Sequence, residues 1–163
     1  MSRLESAIRR LQSQKVCIEF ASELISDLQG VILEIGLGNG RTYDHIKKIF
    51  PEKKVFVFEK SVKAHPDCIP PKKYLYEGDF KSTLFKFKKE VSAPIILAHF
   101  DIGSGNEDES LKRAESLSVI LSKIIDVNGL VVGDQSLSSK FFTELQLPQG
   151  ITIGRYFMYK LNV

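Results

Sequence analysis

The sequence is poor in several features that would each point to a particular class of protein. It has no tryptophan, two cysteines and six prolines among 163 residues. Cys17 and Cys68 lack the close spacing of a zinc or redox motif. No apolar run approaches the ~20 residues of a membrane span, and the opening stretch MSRLESAIRRLQSQ lacks the apolar core of a signal peptide. We therefore expect a cytoplasmic protein with reduced cysteines and no membrane partner.

Charge of one sign is not in large excess either. The formal net charge is +3, which is too small by itself to indicate a nucleic-acid partner. Hydrophobic residues make up 43% of the chain, enough for a substantial core. The length and the absence of repeats or linkers predict one domain over residues 1–163.

Short apolar runs alternate with helical patterns along the chain. The candidate strands are residues 31–36, 54–59, 73–78, 94–101, 129–134 and 155–161. Most are apolar almost throughout, which is typical of a parallel sheet covered on both faces. The repeated strand–helix order predicts a doubly wound α/β sheet. The last strand follows a short loop instead of a long helix, so we expect it to be antiparallel.

Helical patterns fill the stretches between these strands. One helix is predicted over 41–50, and another has apolar positions from Leu111 to Ile125 and a stop at Asn128-Gly129. Residues 1–30 are predicted as a helical segment of one or two helices that stops at Gly30. Because this segment precedes the first strand, it can fold across the strand ends and is a candidate lid.

Three glycines, Gly36, Gly38 and Gly40, lie between the first strand and the next helix. Glycine tolerates positive φ and lets a ligand approach the backbone, and a helix start offers free N–H groups. In an open α/β sheet, ligands bind beyond the carboxyl ends of the strands. The dinucleotide fingerprint G-x-G-x-x-G fails at Arg41, which argues against a nicotinamide oxidoreductase.

Acidic residues end the next two predicted strands. Glu59 follows a buried run and can accept hydrogen bonds from both hydroxyls of a ribose. Asp79 follows Gly78 and can accept a hydrogen bond from an adenine amino group, with Phe80 near the ring. Three strand ends therefore predict a nucleoside site.

These residues carry a resemblance to a known family. The string ILEIGLGNG at 32–40, together with Glu59 and the pair Gly78-Asp79, resembles the class I S-adenosylmethionine-dependent methyltransferases. The strings GLGNGRTYDHI, VFEKSVKAHPD and GRYFMY are similar to a small bacterial family of these enzymes with an unassigned substrate. The resemblance implies a mostly parallel, Rossmann-like methyltransferase sheet and S-adenosyl-L-methionine as cofactor.

The resemblance also implies a role for each motif residue. The three glycines would lie against the amino-acid part of the cofactor, and Glu34 would orient that loop or bind the amino group. Glu59 would hold the ribose, while Asp79 and Phe80 would frame the adenine. The end of the fourth strand would face the methionine part and the methyl group.

That fourth strand end, AHFDIGSGN at 98–106, supplies the candidate catalytic residues. Asp101 is expected to bind the cofactor's ammonium group or to act as a general base. His99 lies two residues earlier and so points to the same face of the strand. His99 is either a second catalytic residue or a hydrogen-bonded histidine of the core.

We expect direct in-line methyl transfer to a small-molecule acceptor. An RNA or protein methyltransferase and a cofactor-binding protein without catalysis are the alternatives. The first rests on a lysine-rich run with interleaved aromatics over residues 72–89. We instead interpret that run as a helix that buries Leu84, Phe85 and Phe87 and exposes its lysines, so no nucleic-acid partner is expected.

No metal site is expected. Asp134-Gln135 with Asp101 resembles, only in part, the magnesium ligands of catechol-type O-methyltransferases, because Gln135 stands where those enzymes have asparagine. The apolar last strand is a candidate dimer edge, so the sequence leaves open whether the protein forms a homo-oligomer.

Overall fold

The computed structural model describes residues 2–162. Its helices are α1 (Arg3–Leu24), α2 (Arg41–Ile49), α3 (Phe80–Glu90) and α4 (Glu107–Leu121). Its strands are β1 (Val31–Ile35), β2 (Val55–Glu59), β3 (Leu75–Glu77), β4 (Ile95–Phe100), β5 (Ile125–Gly133), β6 (Phe142–Glu144) and β7 (Phe157–Leu161). Among the described helices, none has the length and apolar character needed to cross a membrane.

The strands form one mixed sheet in the order β3-β2-β1-β4-β5-β7-β6. The first five strands in this order run parallel to one another, and β7 is antiparallel to both β5 and β6. This confirms the doubly wound, mostly parallel fold and the antiparallel last strand. The chain winds outward from β1 to β3 and then returns to β4 on the other side of β1. A crevice therefore opens at the carboxyl ends of β1 and β4.

The sheet is covered on both faces, as the apolar runs predict. Leu33 and Phe58 belong to the core shared with α3 and α4. Ile32 and Val57 belong to the core shared with α1 and α2. Successive side chains of β1 and β2 point to opposite faces of the sheet and so belong to two separate cores. For this reason both strands are apolar at nearly every position.

The predicted boundary between α4 and β5 is wrong. The helix ends at Leu121, and β5 already begins at Ile125. The pairing of β4 with β5 shifts register, since Ile95 pairs with Ile125 but Leu97 pairs with Leu130. The turn signal Asn128-Gly129 therefore marks an irregularity inside the strand instead of the end of the helix.

Three further elements differ from the predictions or add to them. The first segment is one helix that ends at Leu24, before Gly30. The connection from β2 to β3, where Pro66, Pro70 and Pro71 predict a stiff loop, contains two one-turn 3-10 helices, Pro66–Cys68 and Lys72–Tyr74. Strand β6 was not predicted, because three residues are too few to display a period.

Helix α3 corrects one assignment in the lysine-rich run. Leu84 and Phe87 are fully buried, but Phe85 is 64% exposed. Each residue turns the helix by about 100°, so a face centred on Leu84 and Phe87 leaves Phe85 at its margin. The lysines of this helix are exposed, as predicted.

Replacement of Phe85 and of Phe87 by alanine should show which of the two is a core residue and which is a surface residue. We expect Phe87→Ala to lower the free energy of unfolding by about 3–5 kcal/mol, because it leaves a cavity between α3 and the sheet. Phe85→Ala should change it by no more than about 0.5 kcal/mol. Urea unfolding of both variants is the measurement, and equal losses would contradict this assignment of the two side chains.

Candidate functional site

The glycine loop between β1 and α2 has positive φ at every glycine. The angles are 90° at Gly36, 51° at Gly38 and 81° at Gly40. A Cβ at Gly36 would lie 2.2 Å from the carbonyl oxygen of Asp101, and one at Gly40 would lie 2.4 Å from Cys68 Cβ. A Cβ at Gly38 would meet no atom within 4 Å. Two glycines thus permit close packing of the protein on itself, while Gly38 faces open space.

Glu59 holds this loop in place. Its Oε2 accepts hydrogen bonds from the amides of Leu37 at 2.8 Å and Gly38 at 3.1 Å. Its Oε1 accepts one from the amide of Ser61 at 3.1 Å. A carboxylate has about four acceptor sites, so these bonds leave capacity for a ligand. Sequence reasoning did not find this contact between Glu59 and the loop.

A cleft of about 390 Å³ lies at the ends of β1, β2 and β3. The structure brings Glu59, Gly78, Asp79 and Phe80 together in its walls. Asp79 is also the N-cap of α3, because its Oδ1 accepts from the amide of Lys81 at 2.9 Å. Ile102 and Gly103, at the strand end expected to face the cofactor, also line the cleft, whereas its residues Lys60, Lys81 and Arg113 were not assigned to the site from the sequence.

Gly36 also lines a second cleft, of about 230 Å³. Gly38 and Asp101 line it, and α1 contributes Arg10 and Gln14. Asp101 Oδ2 accepts hydrogen bonds from Gln14 Nε2 at 2.7 Å and from Arg10 at 3.1 Å. Helix α1 therefore contacts the end of β4, the part of the fold where the lid was predicted.

The surroundings of Asp101 raise the pKa of its carboxyl above the ordinary value for an aspartate. Burial raises the pKa of this carboxyl, and the nearby charge of Asp134 raises it further. Arg10, His99 and the hydrogen bond from Gln14 act in the opposite direction, and the net pKa is raised.

A buried polar chain runs beneath Asp101. Glu34, His99 and Tyr156 are each 0% exposed. His99 Nδ1 lies 2.5 Å from Glu34 Oε2, and His99 Nε2 shares a hydrogen bond with the Tyr156 hydroxyl. The hydroxyl of Thr42, in the first turn of α2, donates to Glu34 Oε1. Glu34 thus joins β1 to both β4 and α2, and it exposes no surface to a ligand.

The burial of His99 changes what it can do. Both ring nitrogens have partners inside the protein, and neither cleft includes the imidazole. Burial alone would lower the pKa of His99, but the charge and hydrogen bond of Glu34, together with Asp101 and Asp134, raise it overall. The pKa of Tyr156 is raised well above 10.0 by its burial and by the nearby acids.

The carboxylate of Asp134 accepts hydrogen bonds from the backbone of the loop that follows β4. Its two oxygens accept hydrogen bonds from the amides of Ile102 at 3.1 Å and Gly103 at 2.9 Å. Within residues 2–162 there is no group of three or more His, Cys, Asp or Glu side chains arranged to hold a metal ion. Asp134 therefore serves to fix the loop after β4.

The strand order, the glycine loop and the acid-lined cleft define the class of doubly wound folds that bind a nucleoside beside the first strand. Within that class, the chain belongs to the S-adenosyl-L-methionine methyltransferase family, whose model matches residues 1–161. It is therefore a methyltransferase with S-adenosyl-L-methionine as its cofactor. A search among curated proteins gives no match.

Solved structures agree with this assignment. The chain is 34% identical to an S-adenosyl-L-methionine methyl transferase from Silicibacter pomeroyi DSS-3, with a TM-score of 0.93 and 99% of each chain covered. CalS11, a TDP-rhamnose 3'-O-methyltransferase of calicheamicin biosynthesis, is 13% identical, with a TM-score of 0.66 over 91% of this chain and 79% of its own. A putative caffeoyl-CoA O-methyltransferase from Staphylococcus aureus is 14% identical, with a TM-score of 0.54 over 90% of this chain and 82% of its own. The last two show the fold alone.

The raised pKa of His99 predicts a pH-dependent contribution to stability. A histidine with a folded pKa above its ordinary value of 6.5 stabilises the fold fully below that value and loses the contribution as pH rises through the folded pKa. His99→Gln should therefore lower the free energy of unfolding more at about pH 6 than at about pH 9. Urea unfolding at both pH values measures this difference.

Tyr156→Phe is the matched control, because it removes a neighbour of the imidazole without removing a charge that titrates in this range. Its effect on the free energy of unfolding should differ less between the two pH values than the effect of His99→Gln. A loss for His99→Gln that is constant, or that grows with pH, would contradict the paired state of His99 and Glu34.

Proposed function

We propose that this methyltransferase transfers the methyl group directly to a small-molecule acceptor and that the two clefts divide the cofactor between them. The observation that carries the proposal is that Gly36 lines both clefts. On one side stand the acids for a nucleoside, Glu59 and Asp79, and on the other stands Asp101. Both cysteines are free, which is consistent with our proposal of a cytoplasmic location.

The larger cleft suits the nucleoside part. Glu59 remains able to accept hydrogen bonds from ribose hydroxyls while it holds the glycine loop. Asp79 uses Oδ1 for the cap of α3, so Oδ2 is the oxygen we assign to the adenine amino group. The ring of Phe80 lies beside it and supplies an apolar wall.

The smaller cleft suits the amino-acid part. Asp101 and Arg10 lie 3.1 Å apart, and such a pair can exchange partners with a zwitterion. Asp101 would then receive the ammonium group, and Arg10 would turn to the carboxylate. Arg10 is 48% exposed, so its side chain can reorient at little cost.

The chain's own residues contribute alignment more than proton transfer. The cofactor supplies a methyl group on a sulfonium, and in-line displacement depends chiefly on the position of the acceptor. Of the two predicted catalytic residues, only Asp101 lines a cleft, and we assign it to the cofactor's ammonium. His99 we propose as a positioning residue, since it fixes Glu34 under the glycine loop.

A small acceptor is favoured by the limited room beside Asp101. The second cleft has about 230 Å³, and α1 forms one of its walls. An acceptor must share this space with the amino-acid part of the cofactor. A macromolecular acceptor would have to offer a narrow, projecting group.

Methyl transfer is tested with methyl-labelled S-adenosyl-L-methionine and a fractionated metabolite extract. We expect a labelled low-molecular-weight product and saturable binding of S-adenosylhomocysteine by calorimetry. Glu59→Gln should weaken that binding, because it removes charge from the ribose acceptor and the loop. Exclusive labelling of RNA or protein would reject the small-molecule acceptor, and no saturable binding at about millimolar ligand would reject the cofactor site.

Asp101→Asn tests the division of the cofactor. It should weaken S-adenosylhomocysteine about 10- to 100-fold, because it removes a charged hydrogen bond, and should leave 5'-methylthioadenosine unchanged, because that ligand lacks the amino-acid part. The exposed Asp108→Asn, on α4, is the matched control. Equal losses for both ligands would contradict the assignment.

The raised pKa of Asp101 adds a pH signature to the same measurement. Affinity of the unmodified protein for S-adenosylhomocysteine should fall as pH drops through that pKa, because the protonated carboxyl no longer attracts the ammonium. In Asp101→Asn this decline should disappear, and its persistence would assign the titration to another group.

A further inference from the structure

Basic charge is concentrated in one part of the chain. Residues 47–89 hold 12 of the 23 lysine and arginine residues but only 5 of the 20 acidic residues. The rest of the chain is net negative, although the whole carries +3. All 12 of these cations are lysines. This segment forms the β2–β3 edge of the sheet and α3.

Within it, one face of α3 combines lysines with an exposed aromatic ring. Lys81, Phe85, Lys88 and Lys89 follow the i, i+4, i+7, i+8 spacing of a single helix face, and all four are exposed. We call these four residues the lysine–phenylalanine face. Lys89 Nζ lies 4.3 Å from the centroid of the Phe85 ring. Phe85 is 64% exposed and belongs to neither hydrophobic core of the protein.

Among the described residues, the lysines of this face form no ion pair with an acidic side chain. On this helix Glu90 lies 3.9 Å from Lys86, which belongs to another side of the helix. For residues 2–162, none of the ammonium groups of Lys81, Lys88 and Lys89 lies within 4.0 Å of a carboxylate. Their positive potential is therefore available to a partner.

The lysine–phenylalanine face begins at the larger cleft. Lys81 lines that cleft, and Lys60 and Arg113 join it there. S-Adenosylmethionine carries a sulfonium, an ammonium and a carboxylate, so its net charge is positive and it has no phosphate. Arg113 is paired with Glu109 at 3.4 Å, but among the described residues Lys60 and Lys81 have no such pair. The cofactor gives no reason for these two cations, whereas an anionic partner does.

We propose that the lysine–phenylalanine face binds single-stranded RNA without sequence preference. Lysines would contact successive phosphates, and an unpaired base would stack on Phe85. Because the segment has no arginine for bidentate contacts with bases, the contacts are to the backbone and to the faces of the bases. The inference goes beyond the proposed function and does not require that the RNA be the methyl acceptor.

Other anionic partners fit less well. An acidic peptide would pair with the lysines but would leave the ring without a flat partner. An anionic membrane surface needs a stripe of apolar residues, and on this face Phe85 stands alone among lysines.

The test is fluorescence anisotropy of the full chain with a labelled oligouridine of about 12 nucleotides, from about 50 to 200 mM salt. Lys88→Gln/Lys89→Gln should weaken binding and reduce the salt slope of log Kd by about 1.4, since about 0.7 is lost for each phosphate contact with a single strand. Phe85→Ala should weaken binding about tenfold and leave the slope unchanged.

The matched controls lie outside the basic segment. Lys112→Gln/Lys123→Gln removes the same charge near α4, and Leu111→Ala removes an exposed apolar side chain there. Both should bind the oligouridine as the unmodified protein does. None of the four variants alters a cleft residue, so affinity for S-adenosylhomocysteine reports whether each is folded and is independent of the RNA result.

Three results would overturn the proposal. The first is no binding of the oligouridine at the lowest salt. The second is equal affinity among the Phe85 and lysine variants, their controls and the unmodified protein. The third is displacement of the RNA by polyglutamate or by phosphatidylserine vesicles at matched charge concentration, which would assign the surface to an acidic protein or a membrane instead.

Discussion

The contact between Glu34 and His99 is the interaction on which the rest of the site depends. Burying a carboxylate costs free energy unless the group is paired and hydrogen-bonded. Both oxygens of Glu34 have such partners. One partner comes from β4 and the other from the first turn of α2. The pair therefore links register partners of the two central strands and ties them to the start of the helix that follows the glycine loop.

The crevice above this pair follows from that constraint. Gly36 can approach the backbone of Asp101 because it has no Cβ, and Glu59 then holds the loop from the side of β2. The two acids act from different sides. Glu34 is fully buried beneath the loop, whereas Glu59 lies in the wall of the cleft. Because the loop is fixed before a ligand arrives, binding does not have to order it.

Much of the fold is readable from local pattern, because buried parallel strands are apolar at nearly every position. The glycine loop and the acids at the ends of β2 and β3 are also visible, since topology brings successive strand ends to one edge. The irregularity in β5 cannot be predicted from local pattern, because it depends on pairing with β4. The contacts of Arg10 and Gln14 with Asp101 join residues about 90 positions apart, and no periodicity encodes them. Phe85 was misassigned because apolar character alone does not fix a helix face.

The position of β7 between β5 and β6 has a consequence for synthesis on the ribosome. Strand β6 emerges before the only strand that it pairs with in the described sheet, so it and the outer edge of β5 stay open until β7 is made. Tyr156, which directly precedes β7, brings the last hydrogen-bond partner of His99. The buried Glu34–His99–Tyr156 chain of the nascent protein is thus completed only after β1 to β6 have all been made.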